Sequence, residues 1–245
     1  VKTAILVSGL INGSWENNIE KLGSIFPDAD VFTATWKGRG NDDKVDYVFD
    51  EPTVNYNPTL DTEPYPKYKS IQFKELAKRD NVKLQNTTKQ VLIHDLLLNE
   101  VCPNDEYDMI IRMRFDTYIS THPSIDWNDL LSKSYQENIT LGFGNRNTRY
   151  NFKRGLLELE QYYPPVDKPI QDSGRTRTND WAYYVLDPLI IHPRKLWDSK
   201  RLWDLHYQQK LHGSENGFYQ ILSEPYGDKH VCYYGAAIIE RFLVK

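Results

Sequence analysis

The chain has 245 residues, a hydrophobic fraction of 40% and a formal net charge of −4, enough for one domain with a sizeable core and no sign of a general polyanion binder. No stretch approaches the ~18 continuous apolar residues of a membrane span, and the N-terminus lacks the charged, long-apolar and small-residue regions of a signal peptide. Cys102 and Cys232 are the only cysteines. Their separation argues against a disulfide scaffold or structural zinc and fits a reducing cytoplasm.

Residues 3–11 predict a buried strand running into a loop, with Asn12, Gly13 and Ser14 as turn and cap residues. A helix is predicted over 15–26, because Trp15, Ile19, Leu22 and Phe26 recur at helical spacing. Strands follow at 30–36 and 45–49. This β-α-β opening predicts parallel strands with helices on the faces. Residues 50–70, with four prolines, read as a long connector. A helix over 86–99 leads into a strand at 108–115, and a further strand is predicted at 140–143. Residues 144–178 form a long polar stretch with Arg146, Arg149, Lys153, Arg154, Arg175 and Arg177, as lids and binding loops often do. Beyond it come a strand at 189–191, helices at 193–210 and 214–222, and terminal strands at 231–235 and 236–239.

The stretch Ile110–Ile111–Arg112–Met113–Arg114–Phe115–Asp116 carries the most chemistry. Alternate residues of a strand share one face, so Arg112, Arg114 and Asp116 are expected to project together. Two cations and a carboxylate suit a diphosphate and the divalent metal that neutralises it. The competing structural reading pairs the arginines with helix carboxylates and makes Asp116 a turn cap. Asp180 and Glu215 are candidate proton-handling carboxylates. Each is also explained as a helix-start acid, satisfying amides or complementing the dipole. The chain has no H-x-x-x-H pair or Cys/His cluster, and no G-x-S-x-G, P-loop or G-x-G-x-x-G. Zinc-enzyme, hydrolase, kinase and dinucleotide-binding readings therefore lack their motifs.

Four segments in order carry a family likeness: Val7–Ser8–Gly9–Leu10, Asp30–Val31–Phe32–Thr33–Ala34–Thr35–Trp36, Tyr107–Asp108 through Arg112, Arg114 and Asp116, and Asn179–Asp180–Trp181–Ala182 with the later Ser214–Glu215. In these the chain resembles the GT-A nucleotide-sugar glycosyltransferases, in particular the lipopolysaccharide-synthesis group of the WavE type. The likeness spans roughly residues 3–225 as short islands. It implies one GT-A-like domain over 1–245, an α/β fold with a mixed, mostly parallel, Rossmann-like sheet flanked by helices. It implies a cytoplasmic enzyme that moves a sugar from a nucleotide-diphosphate donor to a hydroxyl acceptor. Ser8, Gly9 and Asn12 would cup the nucleotide, with Thr35 and Trp36 reaching the base. Arg112 and Arg114 would hold the diphosphate. Asp116, with His230 completing the shell, would bind Mn²⁺ or Mg²⁺. Asp180 would touch the donor sugar or the acceptor, and Asp180 or Glu215 would act as base. Two departures stand out: Leu10–Ile11–Asn12 replaces an arginine-bearing loop, and R-X-D replaces D-X-D. A glycan or lipid-linked acceptor fits the likeness. Hydroxymethylated DNA is the alternative acceptor, since the basic stretch could follow a phosphate backbone. A non-catalytic nucleotide-sugar or glycan-binding module is the alternative of another class.

Overall fold

The structure is a computed structural model that describes residues 1–11, 15–39, 42–51, 86–121, 125–144, 150–151, 160–162, 170–172, 175–177, 185–207, 211, 213–234, 237–239 and 243–244. In chain order the elements are β1 (Thr3–Ser8), α1 (Trp15–Ile25), β2 (Asp30–Trp36), β3 (Tyr47–Phe49), α2 (Asn86–Val101), β4 (Met109–Met113), β5 (Thr117–Ile119), α3 (Trp127–Glu137) and β6 (Thr140–Gly144). Then come β7 (Tyr150–Asn151), β8 (Glu160–Tyr162), β9 (Ile170–Asp172), β10 (Arg175–Arg177), β11 (Leu189–Pro193), α4 (Ser199–Tyr207), α5 (Gly213–Leu222), β12 (His230–Tyr234), β13 (Ala237–Ile239) and β14 (Leu243–Val244).

Eight strands form one sheet in the order β3-β2-β1-β4-β11-β6-β12-β8. The first four are mutually parallel. β11 runs against both β4 and β6, and β12 returns to the common direction beside β6 before β8 closes the edge antiparallel. The sheet is thus mixed, mostly parallel and helix-flanked, the architecture that the resemblance implies. Alternate residues of β1 and β4 explain its two buried faces. Ala4, Leu6 and Ile110 pack with α2, α4 and α5 through Val91, Leu202 and Phe218. Ile5, Val7, Met109, Ile111 and Met113 pack with α1 and α3 through Leu22, Trp127 and Leu130. Among the described residues no helix is long and apolar enough to cross a membrane. Both cysteines are free and buried.

Two expectations are corrected and one element is added. The helix predicted over 193–210 is a 3-10 turn, Arg194–Leu196, followed by α4. Trp197 takes an extended backbone and sends its indole N–H to Asp95, 2.7 Å away. Asp198 then recaps the chain by accepting from Arg201 N at 2.9 Å. The strand predicted through residue 115 stops at Met113, because Phe115–Asp116 form a turn closed by Thr117 N donating to Arg114 O at 3.2 Å. Helix α3 was not anticipated. Its signals are local: Asp126 accepts from Asp129 N, Asn138 ends the helix in the left-handed region, and Trp127, Leu130 and Ser134 are buried at helical spacing.

Candidate functional site

The candidate site lies at the C-terminal ends of β1 and β4, where α2 and α5 pass over the sheet. Arg112 is level with Leu6 and Ile190 in the sheet register. Its side chain follows the Ile110 face, toward α2 and α5. There it is fully buried. The guanidinium donates to the Asp187 carbonyl and, at 2.6 Å, to Gln90 Oε1, and lies 4.9 Å from the centre of the Phe218 ring. Burial pulls its pKa down to about 10, with Asp187 opposing that shift. The expected direct contact of Arg112 with a diphosphate is therefore corrected. A guanidinium with no exposed surface supports the floor of the site from below.

Arg114 and Asp116 stand just beyond the strand. Arg114 Nε and Nη2 donate to the two Asp116 carboxylate oxygens at 2.8 and 2.9 Å, a bidentate pair. Arg114 Nη1 lies 3.7 Å from Asp187 Oδ2 and makes no hydrogen bond among the described residues. Burial opposes the charge on Arg114. Asp187 and Asp116 outweigh that and hold its pKa above the ordinary arginine value. Asp187 is 3% exposed, and its Oδ2 has no hydrogen-bond partner among the described residues. The half-buried Glu215, in the first turn of α5, faces the same charges. Burial first, then Asp187, push its carboxyl up to about 8, while Arg114 pulls it down.

The loop after β1 closes the other side. Gly9 has φ +126°, a conformation that L side chains rarely adopt. It donates to Ala34 O at 3.1 Å and accepts from Thr35 Oγ1 at 2.9 Å. An added Cβ at Gly9 would stand 2.7 Å from Gln90 Nε2 and 2.8 Å from Gln90 Oε1. The φ is what calls for glycine here; a Cβ would also push the Gln90 amide aside. Ser8 Oγ is buried beside it without a partner among the described residues.

The structure thus brings together Ser8, Gly9, Arg112, Arg114, Asp116 and Glu215. Thr35 joins them as a buried residue that ties the Gly9 loop to β2 rather than reaching for a base. Trp36 is 1% exposed and belongs to the core formed with α2, so its expected contact with a base is corrected. His230 is also corrected as a metal ligand. Met113, Leu189, Phe143 and Tyr233 share one row across the sheet. His230 lies three residues before Tyr233, about 10 Å toward the opposite end, and its Nδ1 is bonded to Ser223 Oγ at 2.7 Å. Asn12 and Asp180 lie outside the described residues, as do Arg146, Arg149, Lys153 and Arg154. Of the motif residues, Tyr107 and Asp30 are structural ties. The Tyr107 hydroxyl donates to Asp30 at 2.8 Å.

A Mn²⁺ or Mg²⁺ ion takes oxygen ligands, carboxylates foremost. Here both Asp116 oxygens are taken by Arg114, and His230 is remote. Among the described residues no group of three acidic, histidine or cysteine side chains is placed to hold a metal. Among the described residues, Asp116 and His230 are not brought together as the metal seat that the R-X-D segment led us to expect.

Sequence reasoning missed Gln90 and Asp187. Asp187 had a signal: an acid before proline, set between the apolar runs Val185–Leu186 and Leu189–Ile190–Ile191. Gln90 had only its place as the polar residue before Val91–Leu92–Ile93. Its importance comes from what lies across the sheet.

No family model matches the chain, and no curated protein matches it. Among solved structures it is similar to A197 from STIV, with 8% identity, 96% of this chain and 83% of that chain covered and a TM-score of 0.39. A glycosyltransferase involved in the glycosylation of the major capsid of PBCV-1 gives 8% identity, 95% and 82% coverage and 0.41. A putative glucose-1-phosphate thymidylyltransferase from Bacillus anthracis gives 10% identity, 80% and 72% coverage and 0.34.

Proposed function

We propose that this chain is a glycosyltransferase moving a sugar from a nucleoside-diphosphate donor to a hydroxyl acceptor. The observation that carries the reading is Arg114. It is fixed by Asp116 at the end of a central strand, with Nη1 making no hydrogen bond among the described residues and lying 3.7 Å from Asp187 Oδ2, and Glu215 close enough to feel its charge. In open α/β sheets, ligands sit at such strand ends. A rigid guanidinium opposes the charge that develops on a departing diphosphate, and needs no reorganisation to do so. Glu215 is the proposed base for the acceptor hydroxyl. Because its proton is held up to about pH 8, the rate is expected to rise with pH toward that value. The acceptor class follows the family resemblance: a hydroxyl of a surface glycan.

No step of this reading passes through a metal. Thermal-shift measurements with UDP-, GDP-, CMP- and dTDP-sugars, each with EDTA or Mn²⁺, test it. Binding to the native state raises the midpoint by mass action. A rise with one nucleotide class in EDTA is expected. A rise only with Mn²⁺ would return Asp116 to a metal, and no rise with any donor would remove the glycosyltransferase reading. The tie between Arg114 and Asp116 also favours a second reading, a nucleotide-sugar-binding module without catalysis. Donor binding without donor hydrolysis or transfer would select it.

A further inference from the structure

We propose that Gln90 is a ligand-contacting residue whose Nε2 amide donates to an oxygen of the bound diphosphate, while Arg112 behind it fixes which end of the amide is the donor. The proposal rests on the phosphate-binding reading of the site above. Arg112 has only donors to offer, so the Gln90 atom 2.6 Å from its Nη2 is the carbonyl oxygen. An amide orientation is usually a choice between two near-equal fits. Here the buried cation removes the choice.

The other end of the amide is then NH₂. Both ends lie over the Gly9 backbone, Nε2 at 2.7 Å and Oε1 at 2.8 Å from where a Cβ would stand. Nε2 makes no hydrogen bond among the described residues, and Gln90 is partly exposed. Its donors are thus unspent among the described residues, in a residue that packs over Gly9 at the end of β1 and against Arg112 of β4. A cation bonded to Oε1 polarises the amide and makes its N–H groups stronger donors. Arg112 has no exposed surface of its own. Its charge would act on the ligand through Gln90.

Two substitutions separate contact from support. Gln90→Glu keeps an acceptor for Arg112 and removes the N–H donors. Gln90→Met removes the donors without adding charge. Calorimetric titration in EDTA, with inorganic pyrophosphate and with the four sugar-nucleotide classes, is expected to show affinity falling about tenfold or more in both variants. The unliganded midpoint of Gln90→Glu should stay near that of the unaltered chain. Loss in Gln90→Met alone assigns Gln90 to support of Arg112 and overturns the proposal. Loss in Gln90→Glu alone indicates charge repulsion without a hydrogen bond and also overturns it. Full affinity in both overturns it while leaving the glycosyltransferase reading intact. Gln90-dependent binding of pyrophosphate, with no sugar nucleotide bound, upholds the contact and removes the glycosyltransferase reading. No binding of any probe removes both.

Discussion

Asp95 and Asp187 are both buried aspartates on the α2/α5 side of the sheet, and they are treated in opposite ways. Asp95 is enclosed by donors. Trp197 Nε1 and Ser199 Oγ reach Oδ1, and Trp203 Nε1 at 2.7 Å and Asn99 Nδ2 at 3.2 Å reach Oδ2. Asp187 has an oxygen without a hydrogen bond among the described residues and an arginine at 3.7 Å. A carboxylate with every lone pair engaged stitches helices together. One left partly unanswered among the described residues, beside a cation and a glutamic acid of raised pKa, is the kind of arrangement that singles out a candidate site. The contrast distinguishes a structural tie from the candidate site without reference to any known activity.

The largest effect is expected at Asp95. Asp95→Ala removes the acceptor of the buried Trp197 indole N–H and of the partly buried Trp203 and should lower the unfolding free energy by about 3–5 kcal/mol in urea titration. A loss below ~1 kcal/mol would mean that the four bonds are not the tie described here. Next comes Arg114. Arg114→Ala should weaken donor binding by about 100-fold, with a smaller stability loss than at Asp95. Arg114→Lys should restore only part, because an ammonium cannot grip Asp116 in a bidentate way. Equal binding by all three proteins would move the anion elsewhere.

Glu215 sharpens the comparison through pH. Its carboxyl is raised in the folded chain, so the native state holds a proton that the unfolded state has released. Stability should therefore fall as pH rises from the ordinary carboxylate range to about 8. Glu215→Gln should flatten that slope, by ~1 kcal/mol across the window given partial exposure. An unchanged slope in melts from pH 5 to 8 would detach Glu215 from the Asp187 charge.

The smallest effect lies beneath Arg112, where His94 and His192 meet Trp197 and Phe218. Burial lowers both histidines, His192 to about 4. The unfolded state takes up the protons first, so stability present above pH 6.5 is lost as pH falls toward 4. His94→Phe should reduce that acid sensitivity and change stability at neutral pH by less than ~1 kcal/mol. Identical acid melts would show that His94 is not the group being charged.

Much of the frame was legible because it obeys local rules. The pattern of 30–36 alone gave β2 its bounds, and the helical spacing of Trp15, Ile19 and Leu22 gave α1. Helix α3 was equally local and passed unnoticed between two segments with stronger signals. The site was less legible. Arg112, Arg114 and Asp116 were found by alternation, but alternation assumed a strand that continued to residue 115. The turn at Phe115–Asp116 breaks the pattern. Arg112, still inside β4, follows the Ile110 face into the core, and the turn leaves Arg114 and Asp116 bound to each other beyond the strand end.

The sequence by itself determined the alternating apolar strands, the helices that cover them, and a cationic segment at the end of the β4 strand. Those depend on neighbours within a few residues, which the chain order supplies. Only the tertiary structure decided that Gln90 lies between Gly9 and Arg112, that Asp187 faces Arg114, and that Glu215 shares their charge. These residues come from α2, the lead-in to β11, and α5. What joins them is the sheet order, which inserts an antiparallel β11 between β4 and β6 and brings distant segments to one strand end. Desolvation at that meeting point then sets the protonation of Glu215, a property with no signature in the linear chain.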